Sequence, residues 1–237
     1  MYKEYIYRYN SGTEALAAAL KQLKPKAAII PSYTCEDIPT ACKLAGVRFI
    51  IVDCEKNLQI SVKAIKAIKE DFDCIIVPHM FGIQAPIKKI AKAFPDIDII
   101  EDCSQAHGLP DIGKYSRLII SSVNSTKWLK GKEHIGLVYS NEQMKIGEDV
   151  TTDTYIAQLH ATIIPRLKNR LERARELTNA GIELVGNNQP NSYLRGMYFT
   201  DKQKRLPYIP LHDIYSGFDC PIVDSFKHKL DWISIYD

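Results

Sequence analysis

What this chain lacks narrows it first. No apolar run approaches the roughly 18 residues of a membrane span, and the opening "MYKEYIYRYN" has no apolar stretch of the signal-peptide kind. Neither sign of charge dominates. Thirty-one Lys and Arg stand against 28 Asp and Glu, and the resulting +3 is too weak for a nucleic-acid footprint. No C-x-x-C pair occurs among Cys35, Cys42, Cys54, Cys74, Cys103 and Cys220, and most of these lie in or beside apolar runs. They read as reduced packing cysteines of a cytoplasmic protein. The six histidines show no metal-ligand spacing, so no metal site is expected. There is no internal repeat and no low-complexity tract. The sequon Asn124-Ser125-Thr126 reads as chance without a secretory context.

What is present is ordinary globular material: 237 residues, 46% hydrophobic, enough for a sizeable core. Short β-rich runs recur at 26–33, 47–54, 74–80, 97–102, 117–123 and 135–140, most of them apolar on both faces. Helical segments fall between the first four, at about 36–45, 61–70 and 86–93; in the second, Val62, Ile65 and Ile68 recur at helical spacing. This alternation predicts an α/β protein whose mostly parallel sheet carries helices on both faces. The last two runs have no helix between them, which predicts an antiparallel partner or a hairpin. Residues 1–150 would form the large domain and 151–185 a long connecting helix striped by Ile156, Leu159, Ile163, Leu167, Leu171 and Ala174. Pro165 should bend that helix, and its Arg and Lys residues read as a solvated face. The turn-rich "GNNQPNSY" would open a small C-terminal domain, 186–237.

In open parallel sheets ligands bind outside the carboxyl ends of the strands. Asp102 closes one run, Ser122 lies near the end of another, and Lys127 follows five residues later in "SVNSTK". Near the N-terminus, "NSGTEALAAAL" sets Ser-Gly-Thr at the start of an alanine-rich helix, where free N–H groups and a glycine make an anion site. Ser11 and Glu14 also fit a capping box. An anion cradle, an acid and an amine at the ends of one sheet are what pyridoxal phosphate (PLP) requires: a Schiff-base lysine, a carboxylate for the ring nitrogen and a phosphate site.

At these residues the chain resembles a known family. "SGTEAL", "PSYTCEDIPTACKLAGVRFIIVDCEKNLQIS", "VPHMFGIQAPIKKIAKAFPDIDIIEDCSQAHG" and "SSVNSTKWL" are similar to the DegT/DnrJ/EryC1/StrS PLP-dependent sugar aminotransferases, over about residues 10–140. The resemblance implies fold type I, the aspartate-aminotransferase architecture, in a shortened member. It implies that Lys127 carries PLP as a Schiff base and that Asp102 pairs with the pyridine nitrogen. Gln105 would lie by the ring's phenolic oxygen, and Gly12, Thr13 and Ser122 would hold the phosphate. Lys127 and Asp102 would be catalytic, with an amino donor, typically glutamate, and a keto sugar, usually nucleotide-linked, as substrates. A homodimer in the cytoplasm and a place in polysaccharide or secondary-metabolite synthesis also follow from it. A dehydrating branch replaces the lysine with histidine, so Lys127 argues against that chemistry. His79 and His107 read as structural.

The sequence departs from the family's pattern in several places. Cys35 stands where many members carry an aromatic that stacks on the cofactor; Tyr33, two residues earlier, could face the same side. "KGKEHIG" loses the usual glycine pair after the lysine. The segment that reaches a partner subunit's site in relatives is not recognisable in "GEDVTTDTY". Two readings follow: an active aminotransferase, supported by Lys127, Asp102, Gln105 and Ser122, or an inactive relative serving as a binding or heteromeric partner subunit.

Overall fold

The computed structural model describes residues 2–200, 208–233 and 235. The first half runs β1 (Tyr5–Tyr9), α1 (Gly12–Leu23), β2 (Ala27–Pro31), α2 (Asp37–Ala45), β3 (Arg48–Val52), α3 (Val62–Ala67), β4 (Cys74–Pro78), α4 (Ile87–Ala93) and β5 (Asp98–Asp102). It continues through β6 (Leu118–Val123), β7 (Ile135–Ser140), β8 (Glu148–Asp149), α5 (Thr154–Ala161) and α6 (Ile163–Asn179). β9 (Gly196–Phe199), α7 (Leu211–Ile214), α8 (Pro221–Phe226) and β10 (Leu230–Ile233) complete the described chain.

Eight strands form one sheet in the order β3-β2-β4-β5-β6-β7-β1-β8, and the five from β3 to β6 run parallel. β7 is antiparallel to both β6 and β1, as the missing crossover helix predicts. The parallel strands are largely apolar because each face is covered. Ile29, Ile50 and Ile75 pack with Ile65, Ile87 and Ile90 of α3 and α4, while their neighbours Ile30, Ile51 and Ile76 pack with α1 and α2. Alternate residues thus serve opposite layers, and the polar residues of these strands gather toward their ends, as Arg48, Asp98, Glu101 and Asp102 do.

Three features differ from the sequence expectation. β1 was legible only as a terminal tail, yet Tyr5, Tyr7 and Tyr9 alternate along a strand that pairs with β7 over its whole length. The connecting helix is two helices. It breaks at Thr162, whose N–H and hydroxyl both bond to Leu159 O, so Pro165 sits in the first turn of α6, where a missing N–H costs nothing. The basic face of α6 is not all solvated either: Arg170 is 3% exposed, with its guanidinium 4.4 Å from the Trp128 ring centroid.

The C-terminal segments close against the carboxyl edge of the sheet. Asp53, just past β3, accepts from the Ile222 and Val223 N–H groups at 2.8 and 3.1 Å, and the Leu211 N–H bonds to Ser32 O. Met197, Leu211, Val223, Phe226 and Leu230 join the core cluster of α1 and α2. Among the described residues no helix is long and apolar enough to cross a membrane.

Candidate active site

A cavity of about 310 Å³ opens at the carboxyl edge, beside the point where the chain reverses its direction of travel across the sheet, between β2 and β4. β4, β5 and β6 send His79, Asp102 and Ser122 to it, and the start of antiparallel β7 brings Ile135 and His134 to the same edge. Gly12, Thr13, Asp102, Gln105, Ser122 and Lys127, distant in sequence, all line this one space.

The carboxylates that end β5 part company. Asp102 faces the cavity and accepts the Ser104 N–H at 2.8 Å. Glu101 points through the opposite face and is fully buried. Its Oε1 bonds to His79 Nε2 at 3.0 Å, and its Oε2 accepts the Gly113 N–H at 2.8 Å and the Ser116 hydroxyl. Because Ala85 N–H donates to His79 Nδ1 at 2.9 Å, the His79 proton must sit on Nε2, aimed at Glu101. His79 is therefore a brace beneath the cavity. His107 is one as well: fully buried, bonded to Tyr2 OH and Ser121 Oγ, and pushed down to about 3 by desolvation, so it stays neutral.

The N-terminus of α1 supplies the anion cradle. Ser11 Oγ accepts the Glu14 N–H at 3.1 Å and Ser11 O accepts the Ala15 N–H. The capping half of the predicted box forms, while the Glu14 carboxylate turns back to Asn10 instead. Among the described residues, the N–H groups of Gly12 and Thr13 have no protein acceptor. Two glycines make this arrangement possible. A Cβ on Gly136 of β7 would lie 1.9 Å from Ser11 O, so only glycine lets the helix start rest on the strand. A Cβ on Gly12 would lie 3.1 Å from Ser122 Cβ and fill the cradle. The Thr13 hydroxyl donates to Asp37 Oδ1 at 3.1 Å, so Thr13 offers the cradle its backbone N–H.

Lys127 is half-buried in the turn after β6, and among the described residues its amine makes no hydrogen bond or ion pair. Fully buried Trp128 anchors this turn through Nε1–H to Ser192 Oγ at 2.8 Å. Gln105 is fixed at both ends: Oε1 accepts the Phe81 N–H at 2.8 Å, and Nε2 donates to Tyr208 OH at 3.2 Å.

A model of the DegT/DnrJ/EryC1/StrS aminotransferase family matches residues 2–143. The chain belongs to this family. Protein MosB of Rhizobium meliloti is 36% identical over 130 residues, 47% of this chain and 25% of MosB; the matched stretch is thus a quarter of that curated relative. Among solved structures, a family aminotransferase from Brucella abortus superposes with a TM-score of 0.81 at 16% identity, covering 98% of this chain and 80% of that one. NtdA of Bacillus subtilis, solved with bound cofactor PMP, gives 0.77 at 18% identity, with 99% and 69% covered. These likenesses establish the fold-type-I architecture.

The residues present fit the family's cofactor. A glycine-floored cradle with two free N–H groups and a hydroxyl suits a phosphate, and an unpaired amine shares its cavity with a carboxylate. Tyr33 does not supply the missing aromatic. It is fully buried against Phe81 and Phe226, with ring centroids at 6.1 and 6.0 Å, because the chain bends after β2 and the alternation of a strand no longer applies. Cys35 keeps its place at the cavity wall. Burial and the neighbouring Asp37 push its thiol up to about 12, so it donates to Asp37 Oδ2 rather than ionising. Sequence reasoning missed Asp37, Met80, Ser104 and Asn124 in the lining. Asp37 alone carried a signal, as the acid opening the helix after "SYTC".

Proposed function

We propose that this chain is a PLP-dependent aminotransferase that passes nitrogen from an amino donor, glutamate, to the keto group of a nucleotide-linked sugar. The observation that carries this reading is the unpaired Lys127 amine sharing one cavity with Asp102 and the α1 cradle. Gly12, Thr13 and Ser122 would hold the phosphate through N–H and hydroxyl donors placed at the positive end of a helix. Asp102, oriented by the Ser104 N–H, would keep a proton on the ring nitrogen. Gln105 would turn its amide toward the ring oxygen, and Lys127 would hold the cofactor covalently. Bound there, PLP supplies an electron-withdrawing ring that makes the bonds at the attached amino carbon labile. Lys127 Nζ would also serve as the base that takes and returns the proton at that carbon. The keto-sugar end and the nucleotide linkage rest on family membership, as do the cytoplasmic setting, polysaccharide or secondary-metabolite synthesis, and assembly as a homodimer.

The experiment is transfer of ¹⁵N from labelled glutamate to a keto-sugar nucleotide by the PLP-loaded protein. Label in an amino sugar supports the reading. A competing role as an inactive partner subunit is favoured by one observation, the Asp37 carboxylate beside the phosphate cradle. PLP binding with no donor-dependent spectral change would select that role.

A further inference from the structure

Gln105 cannot rotate freely. Its Oε1 faces the Phe81 N–H, which can only donate, so the amide nitrogen must face the other way, toward Tyr208. Tyr208 lies outside residues 2–143, the stretch that the family model matches. Its ring packs on Phe81 (5.8 Å between centroids) and Tyr33 (6.5 Å), so the residue that accepts from one end of Gln105 also braces the residue that donates to the other. Tyr208 is half-buried; desolvation raises its phenol, while the nearby Lys127 charge lowers it. Its hydroxyl accepts from Gln105 at 3.2 Å, and at neutral pH it is a protonated phenol.

We propose that Tyr208 is a positioning residue of this site. It acts through Gln105, holding one amide hydrogen so that the other is directed at the cofactor's ring oxygen. The inference rests on the PLP reading above and ties the C-terminal segment, which docks on the sheet edge at Ser32 and Asp53, to cofactor binding.

The test is a double-mutant cycle on PLP affinity, read by equilibrium titration of the visible absorbance, with the unfolding temperature of each variant recorded. Tyr208→Phe keeps the ring contacts and removes only the acceptor. In the wild-type background it should weaken PLP binding about fivefold, the value of one neutral hydrogen bond. In a Gln105→Ala background the same substitution should have no effect, because its route is gone. A packing role would cost the same factor in both backgrounds, and that result, or unchanged affinity in the wild-type background, overturns the proposal. Wild-type protein that binds no PLP overturns the cofactor reading together with this one. Wild-type protein that binds, with a Tyr208→Phe variant that binds equally, overturns the role of Tyr208 alone.

Discussion

Glu101→Gln separates the two carboxylates at the end of β5. Glu101 is fully buried and accepts from three donors: His79 Nε2–H, the Gly113 N–H and the Ser116 hydroxyl. A glutamine keeps the shape but brings one acceptor and one NH₂ group. If its oxygen serves Gly113 and Ser116, its NH₂ meets the His79 proton, which Ala85 pins to Nε2. If it flips, the NH₂ meets the Gly113 N–H. Either way a buried donor faces a donor, at about 1–3 kcal/mol, and the charge-assisted bonds are lost as well. The sum is about 3–5 kcal/mol. For a chain of this size that lowers the unfolding temperature by about 6–20 °C. Thermal unfolding of the cofactor-free protein, followed by circular dichroism, measures it. A drop under about 2 °C would refute the reasoning, since a carboxylate so replaceable is not organising the strand end.

Asp102→Asn should do the reverse. Its Oδ1 still accepts from Ser104, so stability changes by less than about 1 kcal/mol, while amino transfer falls by about 10²-fold or more and the covalent link to Lys127 still forms. Equal losses of transfer in Asp102→Asn and Glu101→Gln would mean the wrong carboxylate has been assigned. Gly136→Ala drives a Cβ into Ser11 O, so PLP affinity and thermal stability should fall together; unchanged phosphate-dependent affinity in a titration would contradict the cradle. His107, neutral in the fold because desolvation holds it near 3, binds a proton in the unfolded chain below its ordinary 6.5. Its contribution is complete above about pH 6.5 and is lost as pH falls toward 3, by up to about 1.4 kcal/mol per unit. Denaturant titrations at pH 7 and pH 4.5 should show His107→Gln losing less stability over that interval than wild type; equal losses would sink the argument.

The parallel half of the fold was legible because strands buried on both faces write themselves as apolar runs, as in "AAIIP" and "CIIVP". β1 was not, because tyrosines alternating in a charged segment carry a weaker signal than isoleucines. The α5–α6 break escaped because the stripe continues across it, and only the turn at Thr162 shows that Pro165 begins a helix instead of bending one. Glu101 and Asp102 were separable in advance by the two-residue period of a strand. That rule failed for Tyr33, beyond the last strand residue, Pro31. Asp37's bond to Thr13 and Tyr208's bond to Gln105 depend on chain paths over 24 and 103 residues, which no local pattern encodes.

The account turns on the amine of Lys127. Incubation of the purified protein with PLP, reduction with borohydride and mapping of the modified peptide tests it most directly. The account predicts a single pyridoxyl group on Lys127 and none in Lys127→Ala. A label on Lys130 or Lys132, or none at all in a folded protein, would contradict it.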